Sequence, residues 1–160
     1  ATLTAREKDP NLGLVGTITK VDPRLLQTLL DGGFIPVLSP ISQGEEGGCY
    51  NCNADDAARA VAEALKADKL IFLTDTDGIL TDAKNPSTRI AKVDPTRARE
   101  LIQSGLIAGG MRPKTENCIH AVEHGVKSVT ILDGRTEHAV LLDAISEKTL
   151  GTTIERGAKH

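Results

Sequence analysis

The stretch Ala108-Gly-Gly-Met-Arg-Pro-Lys114 combines the features of an anion site. Gly109 and Gly110 let backbone approach a ligand closely. Pro113 suits the start of a helix, whose leading N–H groups have no partner within the helix. Such a start favours an anion, most commonly phosphate, and Lys114 adds a mobile cation. No G-x-x-x-x-G-K-[ST] pattern occurs, so this is not a Walker A loop. The same residues also fit an ordinary glycine-rich turn with a surface lysine. A second cluster, Asn51-Cys-Asn-Ala-Asp55, places two amides and a carboxylate within five residues. Asn53 alone would serve as a helix cap. Two asparagines and an aspartate are more than a cap requires.

Two other patterns imitate metal sites. Cys49-Tyr-Asn-Cys52 has C-x-x-C spacing, with Cys118 and His120 as conceivable further ligands, but no second paired motif accompanies it. His120-Ala-Val-Glu-His124 matches H-x-x-E-H, yet its histidines share a face with Glu116 and Asn117, opposite Ile119 and Val122. That reads as a solvated helix face. No residue is assigned to a metal.

The elements that must position these groups alternate along the chain. Leu14 to Val21 reads as a strand, and Asp22-Pro23 as the cap and first position of a helix carrying Leu25, Leu26, Leu29 and Leu30. Gly32-Gly33 stop it. Phe34 to Ser39 reads as a buried strand, against which Pro36 counts. Residues 43–48 form a polar loop or hairpin tip. Asn53 caps a helix whose apolar face is Ala54, Ala57, Ala58, Val61, Ala62 and Leu65. Leu70 to Leu73 is an apolar run entering the turn Asp75-Thr-Asp-Gly78, and residues 81–88 are loop. Asp94-Pro95 opens a helix ending near Gly105, and Pro113 to His124 is a further helix closed by Gly125. Val126 to Leu132 is a strand, Glu137 to Ile145 a helix, and Leu150 to Ile154 a last strand. This alternation predicts an α/β fold, a three-layer αβα sandwich around a largely parallel sheet. Ligands then belong at the carboxyl ends of strands.

Composition narrows the function. The chain has 160 residues, enough for one domain with a real core. Its 19 basic and 22 acidic residues give a net charge of −3 with no long run of one sign. That argues against nucleic-acid or membrane-surface binding. The aromatics are Phe34, Tyr50 and Phe72, too few for a base-stacking platform. No apolar stretch approaches the roughly 20 residues of a spanning helix, and no secretory signal opens the chain. Three cysteines fit a reducing compartment, so the expected location is cytoplasmic, or organellar in a eukaryote.

Together the motifs resemble the amino-acid kinase family, and within it the members that phosphorylate N-acetylglutamate. The matching segments are Leu12-Gly-Leu-Val-Gly16, Gly33-Phe-Ile-Pro-Val37, Asn51-Cys-Asn-Ala-Asp55, Leu73-Thr-Asp-Thr-Asp-Gly-Ile-Leu80, Gly109-Gly-Met-Arg-Pro-Lys114 and Ile131-Leu-Asp-Gly-Arg135. They run in the family's order over almost the whole chain. The resemblance implies a carbamate-kinase-like fold and transfer of the γ-phosphoryl group of ATP, with Mg2+, to a side-chain carboxylate. It implies that Lys114 holds the transferring phosphate and that Asp55 orients catalytic lysines. Asn51 matches the residue contacting the acetylated substrate, with Asn53 beside it. Thr74, Asp75, Thr76, Asp77, Gly78, Ile79 and Leu80 fall where the family binds nucleotide, as do Leu106, Ile107, Ala108, Gly109, Gly110 and Met111.

The resemblance also implies something missing. The family begins with a further domain bearing a second catalytic lysine and a Gly-Gly substrate loop, and Ala1 to Asn11 is too short to supply them. Residues 1–160 are therefore expected to be one domain, the carboxyl-terminal nucleotide-binding half of a homo-oligomeric enzyme. A nucleotide-binding or regulatory module without catalysis is the alternative from another class. The related kinase acting on carrier-bound aminoadipate shares much of the pattern. Arginine-inhibited members carry a Glu-x-Gly-x-Gly-like segment where this chain reads Glu147-Lys-Thr-Leu-Gly-Thr152, although His138 keeps its place.

Overall fold

A computed structural model describes residues 1–82, 85–146 and 149–157. Glu147 and Lys148 lie outside the described residues. The chain forms two compact units, residues 1–66 and 67–160.

In residues 1–66 four strands close on themselves in the order β1 (Leu3–Glu7), β2 (Val15–Val21), β4 (Cys49–Cys52), β3 (Ile41–Gly44). β1 pairs antiparallel with β2 and parallel with β3, while β4 runs antiparallel to β3 and parallel to β2. The polar tip falls between β3 and β4, as its glycines predict. Helix α1 (Arg24–Asp31) begins one residue later than its proline suggests. Pro23 stands at the cap, and Asp22 accepts the Arg24 N–H (3.1 Å) and its guanidinium instead. Helix α2 (Ala54–Leu65) starts at Asn53, whose side chain accepts the Asp56 N–H at 3.1 Å. It buries Ala57 and Ala62.

One expectation fails here. Residues 34–39 are not a buried strand: they have no regular structure, and Ile35 and Val37 are 90% and 93% exposed. Pro36 removes one ladder donor, and among the described residues no strand lies beside them. Backbone pairing begins at Pro40, whose carbonyl accepts the Cys52 N–H at 2.9 Å.

Residues 67–160 hold most of the core. Their sheet runs β5 (Lys69–Thr74), β7 (Ser128–Asp133), β8 (Thr152–Glu155), β6 (Lys92–Val93). β5 with β7 and β6 with β8 are parallel; β7 with β8 is antiparallel. Val129 to Leu132 are buried without alternation, as a strand covered on both faces must be. Helices α4 (Met111–Glu123) and α5 (Ala139–Ile145) both pack on this strand, and α3 (Pro95–Gln103) packs on α4. Asp94 caps α3 by accepting the Thr96 and Arg97 N–H groups. α4 starts two residues before Pro113, which therefore sits in its first turn, where a missing N–H is harmless. Asp143 of α5 pairs with Lys69 of β5 and accepts the Thr149 hydroxyl at 3.0 Å, tying α5 to the sheet edge. Among the described residues no helix is long and apolar enough to cross a membrane.

Candidate functional site

Within residues 67–160 the candidate groups collect at the carboxyl end of β5. The strand runs straight into Asp75-Thr-Asp-Gly78, and Gly78 makes the turn possible. Its φ is +107°, and a Cβ there would lie 2.6 Å from Thr152 Oγ1. The same hydroxyl accepts the Ile79 N–H at 2.8 Å, pinning the loop's far end. Ile79 is 1% exposed and its carbonyl accepts the Ile90 N–H, so it anchors the loop and presents no side chain outward. Leu80 bridges Arg89. Thr74, Asp75 and Asp77 remain at least partly open, and Thr74 Oγ1 donates to Asp75 at 3.3 Å. Thr76 Oγ1 is buried and has no hydrogen-bond partner. A buried hydroxyl in that condition is a costly group that a bound ligand can satisfy.

The strand end of β7 adds a pair the sequence reading left out of the site. The Gly134 N–H donates to the Thr74 carbonyl at 2.7 Å, joining the two strand ends. Asp133 accepts two guanidinium hydrogen bonds from Arg135, at 2.9 and 2.8 Å, and its backbone N–H at 2.9 Å. Those donors hold its carboxyl at about 2. Arg135 itself is raised by Asp133 first, then by Asp77 and Asp75. It thus brings a guanidinium to the acidic loop. Only the Asp-Gly-Arg triplet after an apolar run signalled it.

Lys114 lies on the first turns of α4, with its ammonium 5.2 Å from the centroid of Phe72 on β5. Phe72 is buried, so the ring holds the lysine over the strand whose end carries the threonine–aspartate loop. α4 opens on Gly110 with no side-chain cap, after Gly109 at φ +56°. A Cβ on either glycine would meet nothing within 4 Å. Of the leading N–H groups, that of Arg112 donates to the Gly109 carbonyl at 3.3 Å and Pro113 has none, so the backbone open to an anion is that of Gly110 and Met111. Ile107 is buried and donates its N–H to the Leu101 carbonyl, while Leu106, Ala108, Gly109 and Gly110 are exposed and Met111 is half-buried. A cleft of about 470 Å³ lies beside Leu106, lined also by Thr81, Ile90, Val93, Arg97 and Leu101. Its size suits a small-molecule site.

Within residues 1–66, Asn51, Asn53 and Asp55 gather at the junction of β4 and α2. Asn51 is exposed at the strand end, its N–H bonded to the Leu14 carbonyl at 2.8 Å. Asn53 serves as the cap, the role its position alone suggests. Asp55 is half-buried in the first turn, where a carboxylate also favours the helix.

The cysteine pair divides. On a strand, positions three apart face opposite ways, and Cys49 is exposed while Cys52 is buried. These two thiols do not form a chelate. His120 and His124 stack at 3.8 Å on the exposed side of α4, opposite buried Ile119 and Val122.

Comparison with known proteins places the chain in a family. A model of the amino acid kinase family matches residues 1–133. An acetylglutamate kinase of Methanocaldococcus jannaschii is 47% identical over 150 residues, covering 94% of this chain and 50% of the relative. The chain therefore spans about half the length of the curated relatives it matches. An N-acetylglutamate synthase from Neisseria gonorrhoeae, solved with coenzyme A and N-acetyl-glutamate, superposes with a TM-score of 0.87 at 29% identity, over 99% of this chain and 37% of that one. Carbamate kinase from Giardia lamblia shares the fold, with a TM-score of 0.66 at 24% identity over 89% of this chain and 47% of its own. The α/β organisation is thus carbamate-kinase-like. On the family match and on relatives of this identity, the chain belongs to the amino acid kinase family.

Proposed function

We propose that this chain supplies the nucleotide-binding half of a kinase that phosphorylates the side-chain carboxylate of N-acetylglutamate. The observation that carries this reading is the arrangement at the end of β5. There the uncapped start of α4, Lys114 held on Phe72, and a loop with an orphaned buried hydroxyl belong to one unit. ATP binds along Thr74 to Leu80 and Leu106 to Met111, with its phosphates toward Lys114 and the α4 N–H groups. The residues fit it: a cation at a helix start without a side-chain cap, an unpaired buried hydroxyl and a cleft beside Leu106. Mg2+ accompanies the phosphates, bound mainly through their oxygens and water.

In the reaction an acceptor carboxylate oxygen bonds to the γ-phosphorus, and the bond to the β–γ bridging oxygen breaks. The products are an acyl phosphate and ADP. The transition state spreads negative charge over phosphoryl oxygens, so positioned cations and N–H donors provide most of the acceleration. Lys114 is the cation assigned to that charge. Asp55 is a positioning residue that fixes lysine ammonium groups, and Asn51 and Asn53 contact the acetylated acceptor. A second charge-stabilising lysine and the acceptor loop come from polypeptide outside this chain. The whole enzyme is cytoplasmic and homo-oligomeric.

A second reading is a nucleotide-binding or regulatory module that catalyses nothing itself; a protein named as a synthase rather than a kinase also carries this fold. Kinetics on a protein of the relatives' full length separate the two. Lys114→Ala should lower turnover on the order of 10²-fold or more while nucleotide affinity changes only a few-fold. Asp55→Asn should lower turnover with an unchanged melting temperature. Near-normal turnover in Lys114→Ala, or a collapsed Asp55→Asn protein, would remove these roles.

A further inference from the structure

The loop that follows β5 is acidic where a polyanion is assigned. Asp75 and Asp77 stand just past Thr74, and Thr74 pairs across the sheet with Asp133 at the end of β7. Three carboxylates thus meet at two adjacent strand ends, and carboxylates repel phosphate. Arg135 is placed to answer them. The Gly134 N–H bonds the Thr74 carbonyl at 2.7 Å, and a Cβ on Gly134 would press against Leu73 Cβ at 3.3 Å. The turn therefore brings the chain at residue 135 close to the loop. Asp133 grips Arg135 through Nε at 2.9 Å and Nη2 at 2.8 Å, a clamp that leaves Nη1 outside it. Such a two-point pair fixes the plane of a guanidinium as well as its position. The two ends of the pair differ in exposure: the Asp133 side chain is 13% exposed and that of Arg135 66%. The charges of Asp77 and Asp75 both act on the guanidinium.

We propose that Arg135, aimed by Asp133, is a positioning residue for the nucleotide: its charge offsets Asp75 and Asp77 so that phosphates can lie along the loop. This rests on the reading that residues 74–80 hold nucleotide, and it names what makes an acidic loop tolerant of a polyanion. Three carboxylates against one guanidinium leave two charges unmatched. Without Arg135 all three are unmatched, because Asp133 loses its partner too. The role differs from that of Lys114, which is assigned to charge that develops during transfer. Arg135 acts on charge the nucleotide already carries, so its loss falls on affinity and not on turnover. The effect also grows with the number of phosphates, which a purely structural brace would not show.

Calorimetric titration of the 160-residue chain with AMP, ADP and ATP, in the absence of Mg2+, tests this. Arg135→Gln should weaken ATP binding by about 10-fold, ADP binding less, and AMP binding by no more than about twofold, with the melting temperature unchanged. In about 1 M sodium chloride the loss for ATP should shrink to about twofold, as it does between exposed charges. Arg135→Lys keeps the charge without the two-point clamp and should lose only about threefold for ATP. Asp77→Asn added to Arg135→Gln should recover part of the lost affinity, because the carboxylate that needed offsetting is gone. In a protein of the relatives' full length, Arg135→Gln should raise KM for ATP and leave kcat within about twofold. Should Arg135→Gln fail to fold, the graded loss in Arg135→Lys carries the test. Three results would overturn the proposal. They are unchanged ATP affinity in Arg135→Gln, an equal loss for all three nucleotides, and no recovery on adding Asp77→Asn. The wild-type chain keeps the two readings apart. If it binds nucleotide and the variants match it, only the role of Arg135 falls; if it binds none, the nucleotide assignment falls as well.

Discussion

Gly78 shows how tightly a single position in the loop is determined. Its backbone is in the left-handed region, and its missing side chain leaves room for the Thr152 hydroxyl that pins Ile79. Alanine there would be strained by conformation and by contact. Gly78→Ala should therefore destabilise residues 67–160 by about 2 kcal/mol or more, read as a lower melting temperature. An unchanged melt would mean the loop can relax at no cost. Lys114 and Gly78 were legible in the sequence because their types announce them, a cation at a helix start and a glycine in an Asp-x-Asp-Gly turn. Thr76 and Arg135 gave weaker signals. What distinguishes Thr76 is burial without a partner, and what distinguishes Arg135 is the 2.7 Å bond that brings β7's end to β5's. Both are tertiary facts.

At the scale of elements, the helices were the more readable part. α2 and α3 are announced by side-chain caps, Asn53 and Asp94, followed by apolar residues at helical spacing. The strands were harder. β6 has two residues, and β3 and β4 four each, too short for alternation to register. Residues 34–39 have strand composition without a strand's partners, and composition cannot report a neighbour. The attachment of α5 gives the test at this scale. Burial alone would raise the Asp143 carboxyl, but Lys69, Thr149 and the Leu150 N–H outweigh it and leave it below its usual value. A folded value below the unfolded one contributes stability above the unfolded value of about 3.9 and loses it as pH falls through the folded value. Urea unfolding from about pH 7 down to about pH 3 should show that loss. Asp143→Asn should flatten it while lowering stability at neutral pH by about 2 kcal/mol. Identical acid slopes in both proteins would contradict the assignment.

For the molecule as a whole, the division into residues 1–66 and 67–160 assigns the two kinds of chemistry to different parts. Asn51, Asn53 and Asp55 belong to the first, and the loops after β5 and before α4 to the second. Everything proposed to hold nucleotide lies in residues 67–160, including the cleft beside Leu106. Nucleotide binding should therefore be independent of whatever completes catalysis. Phosphorylation should not be, because an unpositioned acceptor forfeits a major share of the rate.

Calorimetric titration of the 160-residue chain with ADP and with ATP, with and without Mg2+, tests that claim most directly when a product assay for acyl phosphate is run on the same preparation. Both nucleotides should bind saturably, only a few-fold more weakly in Lys114→Ala, with no measurable phosphorylation of N-acetylglutamate. A folded chain that binds neither nucleotide at millimolar concentration would contradict the assignment of the two loops.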